Sequence, residues 1–355
     1  MSLKDRLRAE IQACGPLNVA QYMTACLHDP ADGYYATRPA LGEAGDFITA
    51  PLVSQMFGEL LGLWAVETWR GMGRPGRLLW VEVGPGDGTL IDDSLRAARL
   101  DPDFVAAAEL WLVETSAPLA ALQRARLARA PLAPHWAASL AELPGDAPML
   151  LIANELLDCL PVRQYVRLAS GWAERVVGLD AAGAMTFGLA PCPAPCEHDA
   201  PPGAVLEVSA AQIAFAGELA ARLARQGGAA LLIDYGPDRP VFGDTLQALR
   251  RHQKVDPLAA PGEADLTVHA DFPGVLAAAR AGGVAAALAP QGLFLQRLGV
   301  EARTAALARA RPDQAAVLSR QRARLIDADQ MGALFKAACL YGHGQPVPPG
   351  FENPA

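Results

Sequence analysis

Charge is scarce in this chain and positive charge scarcer still. Asp, Glu, Lys and Arg make up 19% of 355 residues against 52% hydrophobic, and the net charge is −8. That shortage of basic residues argues against a general nucleic-acid binder, which needs cationic surface to neutralise phosphates. Long apolar runs are missing too: none reaches the roughly 18–20 residues that cross a bilayer, and no charged n-region leads into an apolar h-region at the start, so no membrane insertion is expected. Leu3, Leu7 and Ile11 share a helix face opposite Lys4, Arg6 and Arg8, superficially as in a transit peptide, but Asp5 and Glu10 fit an ordinary first helix better. Cysteines occur only at 14, 26, 159, 192, 196 and 339, without a framework spacing, so reduced thiols and a cytoplasmic location are expected. Cys192, Cys196 and His198 lie close together but lack a fourth ligand, and no metal site is expected of them. Internal repeats are absent. What remains is a globular composition with enough apolar residues for a large core.

The most informative stretch is LLWVEVGPGDGTL, residues 78–90. Leu78, Leu79, Val81 and Val83 suit a buried parallel strand, Gly84, Gly86 and Gly88 let a ligand approach the backbone, and Thr89 to Arg99 continue as a helix. Dinucleotide folds use GxGxxG with an acid much later, and P-loops need a GK[ST] ending, which this turn lacks. An acid, Glu82, placed just before GxGxG suits S-adenosyl-L-methionine, which is cationic and carries no phosphate.

Around this motif the chain reads as α/β: short apolar strands at 78–83, 110–114, 134–137 and 148–153 alternate with helices, which implies a parallel, doubly wound sheet. Residues 1–75 read as an N-terminal helical cap and 76–355 as a Rossmann-like core with two insertions. The first, 162–208, has strand-like segments joined at Gly171 and Gly183 and is expected to extend the sheet's flank. The second, 236–270, shows no pattern of its own and reads as a lid or binding loop. AALLID supplies a fifth strand, VAAALA a sixth and AACLYG a seventh, with helices over about 292–335.

In an open α/β sheet ligands bind beyond the carboxyl ends of the strands. After the second strand comes Glu114, suited to a ribose diol because a carboxylate accepts two donors. After the third, Ala138, Ser139 and Leu140 would frame an adenine ring. After the fourth, IANELLDCLP places Asn154 with two acids, Glu155 and Asp158, one helical turn apart, as a clamp for a cation; capping of the following helix is the plainer alternative. After the fifth come Asp234, Tyr235 and then a loop carrying Arg250, Arg251, His252, Lys254, Asp256, Glu263, Asp265 and His269.

With these residues in place, the chain resembles the MidA-like methyltransferase family, whose mitochondrial member is an assembly factor for respiratory complex I. The resemblance spans nearly the whole chain through GPLNVAQYM and DPADGYY (15–35), GDFITAP and SQMFGELLGLW (45–64), VEVGPGDGTL (81–90), IANELLDCLPVRQY (152–165), LLIDYG (231–236), DTLQALRRHQKVDPLAAPGEADLTVHADF (244–272) and MGALFKA (331–337). It implies a class I seven-stranded methyltransferase with S-adenosyl-L-methionine as cofactor, bound by Glu82, Gly84, Gly86, Gly88, Glu114, Ser139 and Asn154. Glu155 and Asp158 would be catalytic, and Asp46, Thr49, Gln55, Asp234, Tyr235 and His252 would meet the substrate. Two positions depart from the family: Asp87 stands where arginine is common, and Leu52 follows Pro51 where a glutamate is common. Asp87 would add negative charge beside a cationic cofactor.

The implied activity is methylation of an arginine on the complex I subunit that faces the quinone site, by in-line attack of nitrogen on the sulfonium methyl. Positioning, desolvation by 45–58 and 236–270, and steering by Glu155 and Asp158 would carry the catalysis. Two rivals stay open: methyl transfer to a small molecule, and an assembly chaperone that keeps the cofactor fold without turnover. The glycine spacing disfavours a dinucleotide oxidoreductase.

Overall fold

The computed structural model describes residues 1–37, 49–194 and 200–351. The chain opens with α1 (Leu3–Cys14), β1 (Leu17–Asn18), α2 (Val19–His28), α3 (Tyr34–Thr37), α4 (Ala50–Val53) and α5 (Gln55–Gly71). Strands and helices then alternate: β2 (Leu78–Val83), α6 (Thr89–Ala98), α7 (Pro102–Ala107), β3 (Ala108–Val113), α8 (Ala117–Arg126), β4 (His135–Ala137) and β5 (Met149–Asn154). An antiparallel run, β6 (Arg163–Leu168), β7 (Gly171–Leu179), β8 (Met185–Pro191) and β9 (Val205–Val208), precedes α9 (Ala210–Gln226) and β10 (Gly228–Tyr235). Three short strands follow, β11 (Gln247–Arg250), β12 (Gln253–Val255) and β13 (Asp265–Thr267). The chain continues through α10 (Phe272–Ala281), β14 (Ala285–Pro290), α11 (Gln291–Arg297), α12 (Val300–Ala310), α13 (Ala315–Ile326), α14 (Met331–Leu334) and β15 (Phe335–Tyr341).

Seven strands form the central sheet in the order β14-β15-β10-β5-β2-β3-β4, with β15 antiparallel between β10 and β14 and the neighbours from β10 to β4 parallel. This is the class I methyltransferase architecture. Helices cover both faces, which is why β2 and β10 are buried along their whole length and apolar except near their carboxyl ends, at Glu82 and Asp234. Successive side chains of β2 enter opposite layers: Leu78 and Trp80 join one hydrophobic cluster with α5 and α6, Leu79, Val81 and Val83 the other with α9 and α10. Helix α5 is a wall of this core and lies flush on α6. A Cβ on Gly62 would sit 2.3 Å from the Ser94 carbonyl oxygen, so only glycine permits the approach.

Both insertions differ from expectation. Residues 162–208 do not extend the main sheet; with β1 they make a separate five-stranded antiparallel sheet in the order β1-β7-β6-β9, β8 pairing with β7. The 236–270 segment is not patternless either, because β12, β11 and β13 form a three-stranded antiparallel sheet. At three or four residues each, its strands are too short for alternation to stand out. A third hydrophobic cluster unites α1 and α2 with Val177 of β7, Ala248 of β11 and Leu266 of β13. It forms an accessory body built from segments far apart in sequence.

Candidate functional site

The main sheet reverses its direction of growth at β2 and β5, which lie side by side, and a cavity of about 340 Å³ opens beyond their carboxyl ends. The turn after β2 forms one wall. Gly84, Gly86 and Gly88 have φ of 66°, 57° and 84°, left-handed values that a side chain would strain. Gly84 N donates to Val113 O at 3.0 Å, which ties the turn to β3. Asp87, expected to add charge beside the cofactor, lines the cavity, accepts from Thr89 N at 3.0 Å and pairs with Arg126 at 2.6 Å.

Glu82 lies near the end of β2, 3% exposed, and its Oε2 has no partner. Burial, and then the charges of Asp87 and Glu114, push its carboxyl up to about 8. Asn154 Oδ1, at the end of β5, is a second buried acceptor without a donor. Two orphaned acceptors on one cavity fit a ligand rich in donors, as the ammonium of S-adenosyl-L-methionine is. Glu114 Oε1 accepts from Ser116 N at 2.7 Å and Oε2 from Gln123 Nε2 at 3.1 Å, an arrangement that fixes the carboxylate at the cavity wall where a ribose diol would meet it. Burial raises its pKa. Ala138 lines the cavity; Ser139 is exposed and its hydroxyl lies 3.5 Å from Glu142, so the structure does not bring it to the wall.

Beyond β5 the wall is acidic. Glu155 has φ of 51°, a strained value for a residue with a side chain, and is held there by its N–H to Ile233 O at 2.8 Å. Its Oε1 accepts from Ala50 N at α4 and from Asn154 Nδ2, both at 3.2 Å. Asp158, 7% exposed, accepts from the Tyr235 hydroxyl at 2.9 Å. Burial, and then the neighbouring Asp158, push Glu155 up to about 8, while burial alone raises Asp158 to about 6. Asp234 is fully buried behind them. Its Oδ2 accepts from Leu157 N at 2.8 Å and Asp158 N at 3.1 Å, and Oδ1 from Tyr235 N at 2.8 Å, so it shapes the loop instead of facing the cavity. Tyr235 likewise acts through Asp158.

Thr49 reaches the cavity. Gln55 does not: its side-chain amide donates to Glu59 at 3.1 Å. His252 is exposed in the turn between β11 and β12. Asp46, Cys196 and His198 lie outside the described residues. Among the cavity residues that had been given no role from the sequence are His28, Tyr35 and Asp265. Asp265 was one acid among many in the 236–270 loop, and only the pairing of β13 with β11 distinguishes it.

Comparison with known proteins matches this architecture. A family model described as "Putative S-adenosyl-L-methionine-dependent methyltransferase" matches residues 60–290. Among relatives, the Drosophila melanogaster "Protein arginine methyltransferase NDUFAF7 homolog, mitochondrial" is 36% identical over 96% of this chain and 85% of its own length. The Mus musculus "Protein arginine methyltransferase NDUFAF7, mitochondrial" is 37% identical over 84% of this chain and 74% of its own. A Burkholderia thailandensis protein crystallised with S-adenosyl-homocysteine superposes with a TM-score of 0.85 at 30% identity, covering 99% of this chain and 92% of that one. The expected cytoplasmic location is overturned by these relatives, which are named mitochondrial. Scattered free thiols constrain redox conditions and not the compartment, so they never discriminated. Fold, glycine turn and relatives agree that the chain belongs to the MidA-like family of S-adenosyl-L-methionine-dependent methyltransferases.

Proposed function

We propose that this methyltransferase acts on a protein arginine side chain, on a complex I subunit facing the quinone site during assembly. The observation that carries the reading is charge: among the described residues six acids line the cavity (Glu82, Asp87, Glu114, Glu155, Asp158 and Asp265) and no Lys or Arg does. Arg126 neutralises Asp87 from outside. The sulfonium and ammonium of the cofactor, less its carboxylate, offset one further charge, and the surplus on the β5 side favours a second cation. The names of the relatives support arginine as that cation.

The bound cofactor supplies an electrophilic methyl on sulfur. The acceptor nitrogen's electron pair forms the new N–C bond as the S–C pair returns to sulfur, and a proton leaves the nitrogen. Glu155, with its pKa raised toward neutrality, takes that proton, because a base works best when its pKa lies near the operating pH. Asp158, fixed by Tyr235, holds the cation in place. Closing such a site against water strengthens each of these interactions.

The test is a methyl-transfer assay with the purified quinone-side subunit, alongside the same subunit with its arginine changed to lysine. Label on the first alone is the expected outcome. Equal label on both would sink the arginine assignment, and calorimetry without S-adenosylhomocysteine binding would sink the cofactor site.

A further inference from the structure

The reaction as derived leaves part of the cavity wall unused. Tyr35, in α3, donates its hydroxyl to Asp265 Oδ1 at 3.0 Å, and both line the cavity. Asp265 begins β13 and is 6% exposed. Tyr35 also lies within electrostatic reach of Asp158, so the two acids flank a common space. His28 stacks on Tyr35 with centroids 5.9 Å apart and planes 28° from parallel, which extends the aromatic wall. Asn154 Oδ1, the unpartnered acceptor at the tip of β5, borders the same cavity and awaits a donor.

Neither Tyr35 nor Asp265 sits on the seven-stranded sheet, and both are fixed by the accessory body. Arg6 of α1 grips Asp29 at 2.7 Å and Asp32 at 2.8 Å in the turn that leads into α3. Tyr22 of α2 donates to Pro257 O at 2.7 Å, which anchors the segment before β13. A rigid carboxylate beside an aromatic face is a receptor for a planar cation. A guanidinium both forks onto a carboxylate and stacks flat on a ring, whereas an ammonium is a strongly hydrated point charge with no planar fork to match either.

We propose that Asp265, aligned by Tyr35, completes a guanidinium clamp that grips the acceptor from the accessory body while Glu155 and Asp158 hold it from β5, and that this clamp sets a preference for arginine over lysine. The assignment rests on the cationic-acceptor reading above. N-acetyl-arginine methylamide and N-acetyl-lysine methylamide, titrated calorimetrically onto the full chain saturated with S-adenosylhomocysteine, separate the two ideas.

The wild type should bind the arginine probe more tightly than the lysine probe. Asp265→Asn should weaken the arginine probe about tenfold or more, as expected for a lost charge-assisted hydrogen bond, with the lysine probe changed less than about threefold. Affinity for S-adenosylhomocysteine should stay constant and reports the fold. Tyr35→Phe keeps the ring and the carboxylate but frees its orientation, and should weaken the arginine probe about threefold. Unchanged affinity of Asp265→Asn for the arginine probe overturns the clamp and leaves the cationic acceptor standing. A wild type that binds S-adenosylhomocysteine but neither probe overturns both. If Asp265→Asn does not fold, Tyr35→Phe decides alone, and wild-type affinity in that variant overturns the clamp.

Discussion

The two halves of the cavity are built in different ways. On the β2 side, one turn of consecutive residues makes the wall: Glu82 stands one residue before the strand's end, three glycines hold left-handed backbone, and α6 begins at Thr89. On the β5 side the wall is assembled from α3, α4, the loop after β5 and β13, so residues far apart in sequence meet. In the proposed reading the first half holds the cofactor and is rigid by local geometry. The second would face the acceptor, and it depends on an accessory core of its own.

The sharpest way to break this division is Gly86→Val. At φ of 57° a β-branched side chain costs roughly 1–2 kcal/mol, and the turn must either carry that strain or withdraw its backbone from the cavity. Affinity for S-adenosylhomocysteine should fall at least about 100-fold by calorimetry, strain and occlusion together, while the thermal transition survives. An affinity unchanged in this variant would mean the cofactor does not bind at the turn. On the other half, Glu155→Gln should lower kcat about 100-fold, the lower range for loss of a proton acceptor. Cofactor affinity should move less than about twofold, since the amide oxygen can still accept from Ala50 N at the N-terminus of α4. A parallel loss of cofactor affinity would erase the distinction between the halves.

A smaller effect separates the halves by pH. Glu82 and Glu155 are both held near 8 by burial, so between the ordinary carboxyl value of 4.5 and about 8 the folded state binds protons that the unfolded chain has released. Their contribution to stability is therefore complete at low pH and disappears as pH rises through 8. Burial lowers His28 and His269 from 6.5, which acts in the opposite sense below that value. The window from 6.5 to 8 thus isolates the acids, and the melting temperature of the ligand-free protein should fall across it. Glu155→Gln should flatten that fall, and S-adenosylhomocysteine should shift it through Glu82. A wild-type melting temperature that climbs between 6.5 and 8 would contradict the burial of both carboxyls.

The same contrast explains what was legible in the sequence. The strands of the central sheet showed themselves as mainly apolar runs, weakest at the three-residue β4, because helices cover both faces and polar residues such as Glu82, Asn154 and Asp234 are confined to the strand ends near the cavity. Glu82, Glu114 and the glycine turn were legible as cavity residues because they stand within a few residues of a strand end. Asp265 was not, since an acid in a 35-residue insertion gains meaning only when β13 pairs with β11 and Tyr35 arrives from α3. Gln55 and His252 sit inside long family-like motifs, yet one serves Glu59 on α5 and the other is exposed and does not line the cavity. Sequence likeness preserves such motifs for packing as readily as for chemistry. Asp87 differs again: it lines the cavity and its charge is felt at Glu82, but its pairing with Arg126, 39 residues away, was not visible in the sequence.

That last pair offers the finest test of how far the β2 side is insulated. Arg126 is 38% exposed and meets Asp87 both at its carboxylate, at 2.6 Å, and at its carbonyl oxygen, at 2.9 Å. A pair so open to water contributes about 0–1 kcal/mol. Arg126→Ala should accordingly change stability by no more than that, and affinity for S-adenosyl-L-methionine by less than about threefold. Asp87→Ala should cost more, about 1 kcal/mol, because it also removes the acceptor for Thr89 N at the first turn of α6. If Arg126→Ala instead tightens the cationic S-adenosyl-L-methionine several-fold while leaving neutral-sulfur S-adenosylhomocysteine unchanged, then the charge of Asp87 reaches the sulfonium once uncovered. The pair would then set the field of the cofactor half as well as its shape.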